Sequence, residues 1–196
     1  MDDVDAPQIG ADHAAWHARP PAVLGQVVAG QLLLARSDRA AVVLTSVLAY
    51  PSGFEFDISA ILREPQPAGV DAFVAGAAVP RPRSFVETDG GPELTVRFAD
   101  GTTLSSARPG PLPEHPGDGE GVPAGPVLVP VAASTDDRRH DARFWIWSLP
   151  PEGPVVIECG WPAQEITYGR VEISGTLIRQ AAAGAVELWP QEAAAR

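Results

Sequence analysis

The aromatic centre of the chain is the stretch from Arg143 to Pro162, which reads Arg-Phe-Trp-Ile-Trp-Ser-Leu-Pro-Pro-Glu-Gly-Pro-Val-Val-Ile-Glu-Cys-Gly-Trp-Pro. It holds three of the five tryptophans and the only cysteine. The apolar residues on either side of Pro-Pro-Glu-Gly-Pro predict two strands joined by a turn. We therefore expect a hairpin here, at the centre of the core.

The two strands differ in how they distribute their apolar side chains. Residues 144–147, Phe-Trp-Ile-Trp, place bulky groups on both faces of the first strand, so we expect it to be covered on both sides. In the second strand Val155, Ile157, Cys159 and Trp161 alternate with smaller or polar residues. These four side chains should share one buried face.

Outside this stretch, alternating apolar and polar residues predict further strands joined by short turns, at 26–36, 40–50, 53–64, 93–99, 102–106, 127–132 and 166–173. Short turns between successive strands are typical of antiparallel sheets. The pattern predicts an antiparallel β-sandwich, Ig-like or jelly-roll-like, with a closed β-barrel as the alternative.

One amphipathic helix is expected near the C-terminus, over residues 174–189. Ser174 can cap it, and Pro190 should end it. Its apolar stripe comprises Ile178, Ala181, Ala182, Ala185 and Trp189.

The composition suggests one β domain over residues 23–190, between an N-terminal arm (1–22) and a tail (191–196). Within the domain, residues 107–126 are rich in Pro and Gly and have almost nothing to bury. We expect them to form a flexible surface loop.

The charge balance excludes several classes of function. The formal net charge is −11, and the chain contains no lysine. An acidic chain repels nucleic acid and anionic membranes, so neither is expected as a partner. Absence of lysine excludes Schiff-base chemistry and a phosphate loop of the Gly-Lys-Ser/Thr type.

The longest apolar run, 40–50, is far shorter than the roughly 20 residues of a membrane span, and the acidic start does not resemble a secretory signal. A cytoplasmic location is expected.

No residue set predicts a catalytic, metal or cofactor site. His13 and His17 have the i, i+4 spacing of metal ligands, but no third ligand is evident. Cys159 lies on an apolar face, as a core thiol does. Glu55 and Asp57 share one strand face, which we expect to be the wet face, and Glu158 and Glu165 have no spacing typical of an acid–base pair. The sequence thus favours a non-enzymatic protein.

The surplus of aromatic residues suggests binding. We expect a protein-binding or assembly module, with a protein partner or a homo-oligomer as its complex. The alternative is a small-molecule-binding or cyclase-like β-barrel with an aromatic-lined pocket. Candidate contact residues for either role are Trp145, Trp147, Trp161, Glu158, Tyr168 and Trp189.

Three stretches resemble a family of uncharacterised actinobacterial β-rich proteins. They are 44–63 with Ala-Tyr-Pro-Ser-Gly-Phe-Glu-Phe, 143–162 with Phe-Trp-Ile-Trp-Ser-Leu-Pro-Pro-Glu-Gly-Pro, and 171–190 ending in Leu-Trp-Pro. The resemblance covers about half of the chain. It implies no activity and no site residues, since no activity is known for that family.

Overall fold

A computed structural model describes residues 16–65, 91–107 and 123–189 of the 196-residue chain. These ranges contain twelve β-strands, one α-helix and one 3-10 turn. The strands are β1 (Val23–Leu24), β2 (Gln26–Ala29), β3 (Leu32–Arg36), β4 (Ala40–Tyr50), β5 (Gly53–Leu62), β6 (Glu93–Arg97), β7 (Thr103–Ser105), β8 (Val127–Thr135), β9 (Arg139–Trp147), β10 (Pro154–Trp161), β11 (Ile166–Ser174) and β12 (Val186–Glu187). The helix α1 is Gly175–Ala183, and the 3-10 turn is Pro162–Gln164.

The strands form antiparallel sheets. The larger sheet has six strands in the order β2-β4-β5-β9-β8, with β3 also paired to β4. The smaller has four strands in the order β11-β10-β6-β7, and β1 pairs with β12 in a separate two-stranded ribbon. This arrangement confirms the expected mostly-β sandwich with one helix. No sheet closes into a barrel within the described ranges, so the barrel alternative is wrong.

The core lies between the two larger sheets. Alternate residues of β5 and β9 point into it, and the rings of Phe56 and Phe144 stack there at 5.3 Å. From the opposite sheet, Val155, Ile157, Cys159 and Trp161 are buried in the same cluster. The predicted buried face of this second aromatic strand is confirmed.

The predicted hairpin at 143–162 is wrong. β9 pairs with β5 and β8, whereas β10 pairs with β6 and β11, so the two strands belong to opposite sheets. Residues 148–153 cross between the sheets, with positive φ at Ser148 (54°) and Gly153 (111°). β9 and β10 each have an apolar face. Because the two strands face each other across the core, both apolar faces are buried at once. The rings of His140 in β9 and Trp161 in β10 meet there edge to face, 6.1 Å apart.

The C-terminal helix is shorter than predicted. Ser174 caps it as expected, its hydroxyl accepting a hydrogen bond from the Leu177 N–H at 3.3 Å. Ile178 and Ala182 are buried in the core. The helix stops at Ala183, where the N–H of Gly184 bonds to the Ala181 and Ala182 carbonyl oxygens, and the chain then forms β12 against β1.

The predicted strand over residues 26–36 is in fact two strands, β2 and β3. The break falls at Gly30-Gln31, where Gln31 has a φ of 57°. Both pieces pair with β4, β2 along one half and β3 along the other.

Several expectations fall outside the described residues, namely His13, most of the arm 1–22, most of the loop 107–126 and the whole tail 191–196. Within the described ranges, no helix combines the length and the apolar character that crossing a membrane requires.

Candidate functional site

A row of charged and hydroxyl side chains lies on the outer face of the six-stranded sheet, away from the core. Alternation along β5 and β9 places them there, because the residues between them point into the core. We call this set the acid–arginine row. It consists of Glu55, Asp57 and Ser59 from β5 and Arg139, Asp141 and Arg143 from β9.

In the middle of the row, Arg143 binds Asp57 with two parallel hydrogen bonds. The Nε–Oδ1 distance is 2.7 Å and the Nη2–Oδ2 distance is 3.2 Å. Ser46 of β4 donates a further bond to Oδ2 at 2.7 Å. The hydrogen bond to Asp57 raises the pKa of Arg143 above its ordinary value. This carboxylate is therefore fully engaged, as in a structural ion pair.

At one end of the row, Arg139 donates from Nε to both oxygens of Asp141, at 2.8 and 2.9 Å. Its Nη2 also donates to the Ser59 hydroxyl at 2.8 Å. These side chains line an open groove of about 370 Å³ together with residues 132–134 of β8. Each of its carboxylates has an arginine partner, so the groove has ion pairs on its wall and no carboxylate left free for acid–base chemistry.

The other end of the row is covered by residues 16–19, Trp-His-Ala-Arg, which we call the strap. Trp145 lies beneath it with none of its side chain exposed, although it is on the outer face of the sheet. Its indole Nε1 donates to the Trp16 carbonyl oxygen at 3.0 Å, and the Tyr50 ring packs edge-on at 5.7 Å. Gly53 lies under the indole, where a Cβ would come within 2.8 Å of the Trp145 ring.

Glu55 is buried in this covered end, with 2% of its side chain exposed. Its Oε1 lies 2.9 Å from Arg19 Nη1 of the strap and accepts a long bond of 3.5 Å from the Tyr50 hydroxyl. The pKa of Arg19 is raised, first by its hydrogen bond to Tyr50 and then by the charge of Glu55. Glu55 Oε2 is buried and has no hydrogen-bond partner among the described residues.

The sequence predicted a cover over Trp145 but did not predict the burial of Glu55. Glu55 was expected on the wet face with Asp57, and it is instead buried by a segment that begins 39 positions earlier, at Trp16. The signal in the sequence is the second bulky face of the strand Phe-Trp-Ile-Trp, which correctly predicted a cover over Trp145.

The six residues expected to contact a ligand lie in separate places. Trp161 is buried in the core, and Trp145 is under the strap with Trp147 next on the same strand face. Glu158 and Tyr168 meet on the outer face of the smaller sheet, where the Tyr168 hydroxyl donates to Glu158 Oε1 at 3.0 Å. Trp189 is 73% exposed. A ligand role for each of them stays a prediction.

Trp189 lies next to an exposed apolar surface on the two-stranded ribbon. Leu24 and Val186 are paired across the strands and are 55% and 50% exposed. Leu188, two residues after Val186, is 47% exposed, and its N–H bonds to the Ala22 carbonyl at 2.8 Å. We call Leu24, Val186, Leu188 and Trp189 the ribbon face.

Cys159 is buried in the core, and burial raises the pKa of its thiol to about 12. A thiol of this kind is not poised as a nucleophile. In the described ranges, no group of three or more His, Cys, Asp or Glu residues is arranged to hold a metal ion.

Comparison with protein-family models, with curated proteins and with solved structures finds no match to this chain. The resemblance to the uncharacterised actinobacterial family stays a prediction.

Proposed function

We propose that the protein is a non-enzymatic, cytoplasmic assembly module that binds a second copy of itself through the ribbon face. The observation that carries this proposal is the exposure of four apolar side chains on the ribbon and directly after it in the chain, from 47% at Leu188 to 73% at Trp189. Contiguous apolar patches of this kind on a folded domain mark interaction surfaces, and an exposed tryptophan is a frequent anchor in them.

The distribution of charge favours a second copy as the occupant. Two chains that each carry a formal charge of −11 repel one another over most of their surfaces. The segments that form the ribbon and its flanks are an exception, because residues 20–28 contain no charged side chain and residues 184–189 contain only Glu187. Two copies therefore repel one another less at this face than over the charged parts of their surfaces.

The geometry of the ribbon also suits self-association. Its two strands are antiparallel, and Leu24 and Val186 lie directly opposite each other. A two-fold contact uses the same patch on both subunits. The ribbon faces of two copies can then bury their leucine, valine and tryptophan side chains against each other.

A non-enzymatic role is supported by the state of the reactive groups. In the acid–arginine row, Asp57 and Asp141 are held by arginines. Cys159 is buried with a pKa of about 12. None of these groups is both accessible and activated, as a catalytic nucleophile or base has to be.

Sedimentation velocity tests the proposal with matched variants. The wild type should sediment as a dimer of the 20.5 kDa chain at high concentration. Trp189→Ala and Leu24→Asp should shift it to the monomer. Val131→Ala is the control, because it removes an apolar side chain that is 43% exposed on β8 of the larger sheet, and it should leave the dimer intact. A wild type that stays monomeric at every concentration would overturn self-association.

A further inference from the structure

We propose that the pocket beneath the strap is a binding site for a guanidinium group, and that Arg19 occupies it in cis. The juxtaposition behind this proposal is a buried carboxylate, Glu55, beside two aromatic side chains, Tyr50 and Trp145, at one end of the acid–arginine row. It rests on different residues from the ribbon face and does not depend on self-association.

The polar groups of the pocket suit a guanidinium. Arg19 Nη1 lies 2.9 Å from Glu55 Oε1 and 3.3 Å from the Tyr50 hydroxyl. The planar fork of a guanidinium can donate to both oxygens of one carboxylate, which an ammonium group does not match. Arg19 engages only Oε1, and the buried Oε2 is left without a partner among the described residues.

Other unpartnered polar atoms are found in the same part of the chain. Within the described ranges, three buried side-chain polar atoms lack a hydrogen-bond partner. Besides Glu55 Oε2, these are His17 Nδ1 in the strap and Ser52 Oγ, three residues before Glu55 in sequence. Buried polar groups are normally satisfied. Of the three atoms, Glu55 Oε2 belongs to the carboxylate that Arg19 contacts, so Arg19 satisfies this carboxylate incompletely.

The walls of the pocket add a second element of recognition. Trp145 Nε1 donates to a backbone carbonyl, that of Trp16. The strap thus supplies two features, a main-chain carbonyl for the indole and, three residues later, a guanidinium for the carboxylate. A segment of another protein with the same two features would bind in the same way.

Three described hydrogen bonds join the strap to the sheet. They are the bond from Trp145 to Trp16 and the bonds from Arg19 to Glu55 and Tyr50. The Arg19 side chain is 49% exposed. A ligand whose guanidinium engages both Glu55 oxygens would compete with it. The ligand class is a guanidinium carried by a protein segment or by a small compound.

Titration with blocked arginine tests the site. The probe is N-acetyl-arginine methylamide, titrated calorimetrically into wild type and Arg19→Ala. In wild type the tethered arginine competes at an effective concentration on the order of millimolar. Arg19→Ala should therefore bind the probe at least about tenfold more tightly than wild type does. Blocked lysine should bind more weakly than blocked arginine, and Arg36→Ala, which removes an exposed arginine elsewhere, should behave as wild type.

Glu55→Gln, added to Arg19→Ala, should abolish binding of the probe. If Arg19→Ala does not fold, Arg19→Lys replaces it, because lysine keeps the charge and lacks the fork. A blocked Trp-His-Ala-Arg peptide distinguishes the two sources of ligand. Much tighter binding than blocked arginine identifies a protein segment, and equal binding identifies a small guanidinium compound. The proposal is overturned if removing the Arg19 guanidinium does not strengthen binding of blocked arginine, or if binding survives Glu55→Gln.

Discussion

The Trp145 indole Nε1 lies 3.0 Å from the carbonyl oxygen of Trp16, 129 residues earlier in the chain. This bond fixes the strap across the outer face of the six-stranded sheet and completes the burial of Trp145. The outer face thereby has a small packed cluster of its own, separate from the core between the sheets.

Trp145→Phe should release the strap. Phenylalanine keeps an aromatic ring over Gly53 but has no N–H for the Trp16 carbonyl, and the loss of this hydrogen bond should lower the free energy of unfolding by about 1–2 kcal/mol. Hydrogen–deuterium exchange should become faster at residues 16–19. Trp189→Phe, the same change at an exposed site, should alter neither quantity in dilute protein. Unchanged exchange in Trp145→Phe would show that the bond does not hold the strap.

The two larger sheets approach closely at Gly169 of β11. A Cβ at this position would lie 2.3 Å from the Leu34 carbonyl oxygen and 2.4 Å from the Ala35 Cβ of β3. Gly169→Ala should therefore destabilise the protein by about 1–3 kcal/mol, through overpacking. Gly125→Ala, where no atom lies within 4 Å, should change stability by less than about 0.5 kcal/mol. Equal urea midpoints for the two variants would contradict the close approach of β3 and β11.

Cys159 should be unreactive in the folded protein. Its pKa of about 12 leaves almost no thiolate at pH 8, and its side chain is 2% exposed. A disulfide-exchange reagent should label it at least about a hundredfold more slowly in buffer than in concentrated urea. Since it is the only cysteine, the released chromophore reports on this thiol alone. Rapid labelling of the native protein would place Cys159 outside the core.

His140 should make stability depend on pH. Burial lowers the pKa of His140 in the folded protein below its ordinary value of 6.5, although Asp136 and Asp141 oppose the shift. Below pH 6.5 the unfolded chain therefore takes up this proton before the folded one does. The stability that neutral His140 contributes is fully present above pH 6.5. It is lost as the pH falls towards the pKa of His140 in the folded protein.

The measurement is the urea unfolding free energy of wild type and His140→Gln between pH 5 and 7. The slope of stability against pH should be smaller in the variant, whatever its absolute stability. Equal slopes would mean that His140 is protonated alike in both states.

Local patterns in the sequence predicted most strands and their buried faces, but not how the strands pair. A run rich in Val and Leu between two turns gave β4 its bounds of Ala40–Tyr50, and alternation placed Val155, Ile157, Cys159 and Trp161 on one buried face. The pairing of β9 with β5 joins residues that are 78 to 94 positions apart, and periodicity contains no information on such partners. The six-residue link at 148–153 argues against a hairpin between β9 and β10, because tight hairpins usually need only two to five residues.

The candidate sites were harder to predict than the fold. The ribbon strands have two residues each, too few to show alternation. Gly184 is a typical helix stop, but the alanines around it continued the apolar stripe and obscured the signal. The burial of Glu55 depends on Trp145, Tyr50 and Arg19 meeting in space. Of the candidate contact residues, Trp161 was correctly expected on a buried face and Trp145 was correctly expected under a cover.

Self-association through the ribbon face is tested most directly by iodide quenching of tryptophan fluorescence over a dilution series. Trp16, Trp145 and Trp161 are at most 8% exposed, whereas Trp189 is 73% exposed in the single chain. We expect the quenchable fraction to fall as protein concentration rises, because dimerisation covers Trp189. We expect Trp189→Phe to remove this dependence. A wild-type quenchable fraction that is the same at every concentration would contradict assembly through this face.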